Sequence, residues 1–325
     1  MPPRRYGKTS LIKKVVTTTN RKTLYIDFLL INGIEDFASQ YLKKIYNVYP
    51  IERIKGLIRK FRILPNISVN PINNAIDVSF SLENNNVQMI LEDVLNLLEK
   101  VSAKDRPVVI FDEFQDIYRI DKSLARILRS IMQNHCNINY VFLGSMESMM
   151  RKIFEDKKSP FYHFSELMYL DKIGRDDFSD YLEKRFTGYG NPSQLADSIL
   201  DITLCHPYYT QQLAYHVWNI LKINPDTKNI VNEAVKEIVK NHDLDFERIW
   251  DTFNTTDKKI LIGLSSHKLK TFSAEFSNIT GIKSTSTLLS AVKRLSGKGY
   301  VVKINQYYEI DDPFFRQWII KRRNA

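Results

Sequence analysis

The stretch Val108-Val109-Ile110-Phe111-Asp112-Glu113-Phe114-Gln115 carries the reading of the fold. Four apolar residues in a row, three of them β-branched, describe a strand buried on both faces, the habit of a parallel sheet covered by helices. Two carboxylates follow at its C-terminal end, the edge at which open α/β sheets bind ligands. Asp112 is suited to hold Mg²⁺, commonly through water, and Glu113 to orient and deprotonate an attacking water. A strand that ends in a solvated acidic turn gives the same pattern, so the weight of the reading rests on what surrounds it.

Outward from this strand, short apolar runs alternate with helical periods. Tyr140-Val141-Phe142-Leu143 reads as a second central strand and ends in Gly144-Ser145, which puts a small hydroxyl at the same sheet edge. Leu24-Tyr25-Ile26-Asp27-Phe28 reads as a third buried strand, and Glu166 to Leu170 as a further one. Helical spacing runs from Glu35 to Tyr46, from Val87 to Val101 and from Ser123 to Met132. Between the first two lies a basic helix, Ile51 to Arg62, then a polar stretch whose alternation Ile76-Asp77-Val78-Ser79-Phe80 predicts an antiparallel hairpin or edge insertion.

About a hundred residues before the acidic strand stands Arg5-Tyr6-Gly7-Lys8-Thr9-Ser10-Leu11-Ile12, with the Gly-Lys-Thr core of a phosphate-binding loop. Gly7 lets backbone approach phosphate without a Cβ in the way. The amides of residues 7–10, Ser10 included, would open a helix whose positive end faces phosphate. Lys8 would reach the β- and γ-phosphates and the Thr9 hydroxyl would bind Mg²⁺. The full motif, GxxxxGK[ST], wants a glycine at position 2 and a strand before it; here Pro2 stands in that place, without an amide to donate. The expectation is an N-terminally truncated start, the alternative a loop that binds nucleotide poorly.

The composition is that of a globular protein: 325 residues, 43% hydrophobic and 26% charged, with a net charge of +10 that favours polyanions. No run of about 18 apolar residues predicts a membrane span, and no apolar segment follows Met1-Pro2-Pro3-Arg4-Arg5. Cys136 and Cys205, without a CxxC or a Cys/His cluster, argue against a disulfide framework or structural zinc and fit a reducing, cytoplasmic setting.

After about residue 174 helical patterns succeed one another, at 175–187, 192–204, 207–222, 227–242 and 244–253. From Thr255 the order is three helices and two short strands around Lys303–Tyr307, a winged helix, and Asp312 to Arg323 closes the chain as a short helix. The expected division is 1–174 as the core, 175–254 as a helical lid and 255–325 as the winged helix with its C-terminal helix. Residues 255–310 hold nine Lys/Arg against three Asp/Glu. Ser284 to Leu295, with Lys293 and Arg294, has the composition of a recognition helix for double-stranded DNA. The same helix spends Leu288, Leu289, Val292 and Leu295 at core spacing, so intramolecular packing is the competing reading.

Taken together, Pro3 to Leu11, Phe111 to Gln115, Leu143-Gly144-Ser145, His206-Pro207-Tyr208-Tyr209 and Tyr308 to Ile319 resemble the archaeal-type ATPases of the MNS/STAND branch of AAA+-like P-loop ATPases. The resemblance covers nearly the whole chain. It implies an α/β P-loop NTPase core with a parallel sheet, a helical lid and a C-terminal winged helix, with ATP and Mg²⁺ as ligands and an ATP-driven switch as the activity. It also implies that Ser145 is a sensor of the γ-phosphate and water, and that His206 and Pro207 pack near the adenine; a plain helix start is the other reading of His206-Pro207. Where the family carries Ser-Pro-hydrophobic-Tyr-Gly-Arg, this chain has Ser159-Pro160-Phe161-Tyr162-His163-Phe164, so no arginine finger is carried over, and Arg151 is only a candidate substitute. The rival readings are a DNA-binding regulator that does not hydrolyse nucleotide, and a scaffold with a protein partner or a second copy of the chain.

Overall fold

The computed structural model describes residues 6–69, 76–80, 87–102, 105–168, 170–225, 227, 229–266, 272–304 and 307–323. The chain divides into two compact units, Met1–Leu170 and Asp171–Ala325.

In the first unit three parallel strands form the sheet: β1 (Thr23–Asp27), β4 (Val108–Asp112) and β5 (Asn139–Phe142), in the order β1-β4-β5. All five residues of β4 are buried, as an apolar run at the centre of a sheet requires, whereas β1 alternates between buried and half-buried. The register Thr23↔Val108 through Asp27↔Asp112 brings the C-terminal ends of β1 and β4 level. Helix Ile34–Val48 buries Phe37, Ala38, Tyr41, Leu42 and Ile45 on one stripe, and helix Val87–Val101 buries seven residues at the same period. The polar stretch forms the expected antiparallel hairpin, β2 (Asn66–Val69) with β3 (Ile76–Ser79). Aromatic rings cement the sheet: Phe114 lies 4.7 Å from Phe142 and 5.2 Å from Phe161, centroid to centroid.

Two expectations change here. The basic helix ends at Ile58, not Arg62. Residues 166–168 and 170 take no regular structure; Leu167 packs against the first core while Met168 is 77% exposed, and a run without a ladder partner does not make a strand.

In the second unit the helices are Arg175–Phe186, Pro192–Thr203, Pro207–Ile223, Ile230–Asn241, Asp243–Asp251, Thr255–Ser266, Ala274–Thr280, Thr285–Gly297 and Pro313–Arg323. The side chains of Asn191, Ser273 and Ser284 cap three of them by accepting from backbone N–H groups three residues on. The wing is β6 (Val301–Ile304) with β7 (Tyr307–Ile310), antiparallel with Val301 opposite Ile310. One hydrophobic core runs from Phe178 to Ile319, so the helices before Thr255 and the winged helix after it share their interior. Among the described residues, no helix is long and apolar enough to cross a membrane.

Candidate functional site

The first helix, Lys8–Thr19, begins at Gly7, whose φ of 83° and ψ of 14° place it in the left-handed region that a Cβ disfavours. The amides of Lys8, Thr9 and Ser10 stand in its first turn, which Leu11 N–H closes on the Gly7 carbonyl at 2.8 Å. Lys8 and Thr9 are half-buried and Ser10 is exposed. Pro2 lies outside the described residues.

The helix meets the acidic strand directly. Thr9 Oγ1 donates to Asp112 Oδ2 at 3.1 Å, joining two residues 103 apart in sequence. The same oxygen accepts from the Tyr25 hydroxyl, and Asp112 Oδ1 accepts from the Glu113 N–H at 2.9 Å. Asp112 is 7% exposed, so its carboxylate is held inside the protein by three donors. Burial first, then the neighbouring Asp112 carboxylate, pushes the Tyr25 phenol up, which keeps it a donor. A hydroxyl and a carboxylate on adjacent elements are oxygen ligands of the kind Mg²⁺ takes from protein, with phosphate and water completing its shell. Among the described residues, no group of three or more His, Cys, Asp or Glu is arranged to hold a metal.

Glu113 has a φ of 51° and a ψ of 41°, a strained conformation for a residue with a Cβ. Its Oε2 accepts from Ser145 Oγ at 2.6 Å, Ser145 N–H at 3.3 Å and Gln115 Nε2 at 2.5 Å. Burial pushes its carboxyl up, but these donors together with the Lys8 charge outweigh it and hold the group below the ordinary carboxylate range. Glu113 is therefore ionised at neutral pH. The approach of β5 to this turn is close: Phe114 N–H donates to the Leu143 carbonyl at 2.9 Å. A Cβ on Gly144 would lie 2.4 Å from Met150 Sδ and 2.6 Å from Gln115 Oε1, so any other residue beside Ser145 forces these side chains to shift.

Gly7, Lys8, Thr9, Ser10, Asp112, Glu113 and Ser145 thus fall in the first unit, with Thr9 bonded to Asp112 and Ser145 to Glu113. Tyr25, Gln115 and Gly144 belong with them and were not singled out from the sequence. The signal for Tyr25 was a polar tip inside an apolar strand, two residues before the strand's end.

His206 and Pro207 lie in the second unit. Pro207 opens helix Pro207–Ile223, and His206 is 2% exposed, its ring 4.5 Å from that of Tyr209 and its Nε2 3.9 Å from Asp311 Oδ1. Tyr209 in turn meets Phe314 edge-on at 5.8 Å. The His-Pro-Tyr-Tyr and Asp-Asp-Pro-Phe-Phe segments, about a hundred residues apart, therefore form one cluster. Arg151 sits on helix Glu147–Glu155, 3.6 Å from Glu155. Phe161 and Phe164 are packing residues of the first core, with the Arg129 guanidinium 4.3 Å from the Phe164 ring.

Residues 2–213 match the family described as an ATPase domain predominantly from Archaea, and residues 244–321 match a probable winged helix domain. Among solved structures, a Walker-type ATPase of Pyrococcus abyssi aligns over 98% of this chain and 89% of its own, at 15% identity and a TM-score of 0.62. The Aeropyrum pernix Orc1 protein in complex with DNA aligns over 99% and 86%, at 12% identity and a TM-score of 0.44. A variant of Thermotoga maritima RuvB gives 99% and 86%, at 12% identity and 0.45. No curated protein sequence matches the chain.

Proposed function

This chain belongs to the family of ATPase domains found predominantly in Archaea, with a winged helix behind it, and from that premise we propose that it binds Mg-ATP where the Lys8 helix meets the Asp112 strand and hydrolyses it to drive a molecular switch. The observation that carries this reading is the 3.1 Å hydrogen bond from Thr9 to Asp112, which sets a hydroxyl and a carboxylate oxygen, suited to hold Mg²⁺, side by side at a helix N-terminus. Bound Mg²⁺ would neutralise charge on the β- and γ-phosphates. Lys8 places its ammonium against the same phosphates, and the first-turn amides orient them. Glu113, ionised and anchored by Ser145, takes the proton of the attacking water. Ser145, sharing Oε2 of Glu113, registers the γ-phosphate and the water together.

Residues 175–254 act as the lid and 255–325 as the winged helix. Their common core makes them respond to the nucleotide as one piece. The setting is cytoplasmic, where Cys136 and Cys205 stay as free thiols. The test is binding of a fluorescent ATP analogue with Mg²⁺ to this chain and to Lys8→Ala. Saturable binding that the substitution abolishes supports the site, and equal binding by both refutes it. Glu113→Gln should then keep binding and lower hydrolysis by 100-fold or more, the scale of lost general-base catalysis, about 10²–10⁴.

The rival reading, a DNA-binding regulator that does not hydrolyse nucleotide, draws on the exposed face of helix Thr285–Gly297. There Ser286, Ser290 and Lys293 stand out with Lys283 and Lys298 beside them, a surface suited to phosphate contacts. Arg294 is not part of that surface's free charge: it makes two hydrogen bonds to the buried Asp257, at 2.6 and 3.2 Å. Duplex binding that falls steeply with salt, in a protein without ATPase activity, would favour this reading. A protein partner or self-association would appear as a nucleotide-dependent change in mass by light scattering.

A further inference from the structure

Three different elements hold Asp112 at once. Thr9 reaches it from the first helix, the Glu113 amide from its own turn, and Tyr25 from the neighbouring strand. The register explains the last contact. Tyr25 lies opposite Ile110 and Asp27 opposite Asp112, so Tyr25 and Asp112 point to the same face of the sheet as diagonal neighbours, within reach of a long side chain. Lys13, one turn after Thr9 on the first helix, places its ammonium 5.6 Å from the Tyr25 ring, so the tyrosine fills the space between the helix and the strand.

Resting on the Mg-ATP reading above, we propose that Tyr25 is a positioning residue: its hydroxyl fixes the Asp112 carboxylate for a divalent cation and thereby sets the Mg²⁺ dependence of nucleotide binding. Thr9 cannot do this alone. Its hydroxyl has one proton, given to Asp112 Oδ2, and lone pairs left to face a cation, so it supplies a single tie to that carboxylate. Among the described residues Tyr25 is the other side chain that donates to that carboxylate, and it donates to the same oxygen, Oδ2. Without it the carboxylate keeps only the Thr9 hydroxyl and the Glu113 amide, and more of its ordering falls to the metal. Partners of this kind, which orient a metal ligand without touching the metal, are typically worth about 10–100-fold in metal affinity.

The experiment compares the full chain with Tyr25→Phe, which removes the hydroxyl and keeps the ring. A fluorescent ATP analogue is titrated at fixed concentration, first in EDTA and then across a Mg²⁺ series, and the denaturation midpoint is recorded for each protein. The expected result is unchanged binding in EDTA and an increase of roughly tenfold or more in the Mg²⁺ needed for half-saturation. In an Asp112→Asn background the same substitution should have no effect on the Mg²⁺ series, because the residue acts through that carboxylate. An unaltered Mg²⁺ series in Tyr25→Phe overturns the proposal while leaving the nucleotide site standing. So does an equal loss with and without metal, which is the mark of a packing role. Absence of nucleotide binding by the unsubstituted chain overturns the site reading and this proposal together.

Discussion

The two halves of the candidate site meet at one hydrogen bond and are built in opposite ways. Strand Val108–Asp112 is buried at every residue, with Phe111 at the centre of a ring cluster that includes Phe28, Phe37 and Phe114. Helix Lys8–Thr19 has no buried residue; Leu11 and Val15 are 46% and 45% exposed. The carboxylates are therefore held by the hydrophobic core, while the amides of the first helical turn are held by helix geometry and a few polar contacts. It follows that stability and binding should separate by region: the strand sets whether the unit folds, the helix whether it holds a ligand.

The largest contrast is between two truncations. Phe111→Ala should destabilise the protein by about 3–5 kcal/mol, as removal of a buried aromatic does, whereas Leu11→Ala should stay within about 0.5 kcal/mol. Urea unfolding of both measures it, and a cost at Leu11 comparable to that at Phe111 would break the comparison. A smaller effect sharpens it. Gly144→Ala drives a methyl into Met150 and Gln115, both buried, and should cost about 1–3 kcal/mol while moving Ser145 off Glu113. Its signature is reduced hydrolysis with retained nucleotide binding; a fully active, fully stable variant would mean the turn relaxes freely.

The smallest effect is a pH dependence at the foot of β5. His135 Nε2 lies 3.0 Å from Asn96 Oδ1, an acceptor, so that nitrogen carries the proton, and Nδ1, 2.7 Å away, accepts from the Tyr140 hydroxyl. Burial lowers the imidazole's pKa despite the pull of Glu99 in the other direction. A histidine depressed in the folded state is neutral there while the unfolded chain takes up the proton first. The stability it lends is complete above the ordinary histidine pKa of about 6.5 and declines as pH falls below it towards the folded value. Urea midpoints at pH 7.5 and 5.5 should differ in the parent and differ less in His135→Gln. Equal slopes would place the acid sensitivity elsewhere.

How much of this the sequence disclosed follows from the range of each interaction. Helix Val87–Val101 and the five helices from Arg175 to Asp251 were legible within a few residues, because the 3.6-residue period is a local signal. The carboxylates of Asp112 and Glu113 were legible because they abut an apolar run. Tyr25 and Gln115 were not, since their roles depend on strand register and on a turn that closes on β5. Gly144 looked like an ordinary turn glycine; only the packing of Met150 against it reveals the constraint. Glu166 to Leu170 misled for the same reason, as a run of suitable residues says nothing about whether a neighbour offers hydrogen bonds.

The left-handed backbone at Glu113 bears on how this protein would respond to selection. Only glycine, and to a lesser degree asparagine, occupies that region without the roughly 1–2 kcal/mol that a Cβ incurs there. A library screened for heat resistance alone would therefore enrich Glu113→Gly and Glu113→Asn, both of which delete the carboxylate. On the proposed mechanism robustness and turnover pull this single position in opposite directions, so a thermostabilised scaffold made from this chain would hold residue 113 fixed and seek its gains elsewhere.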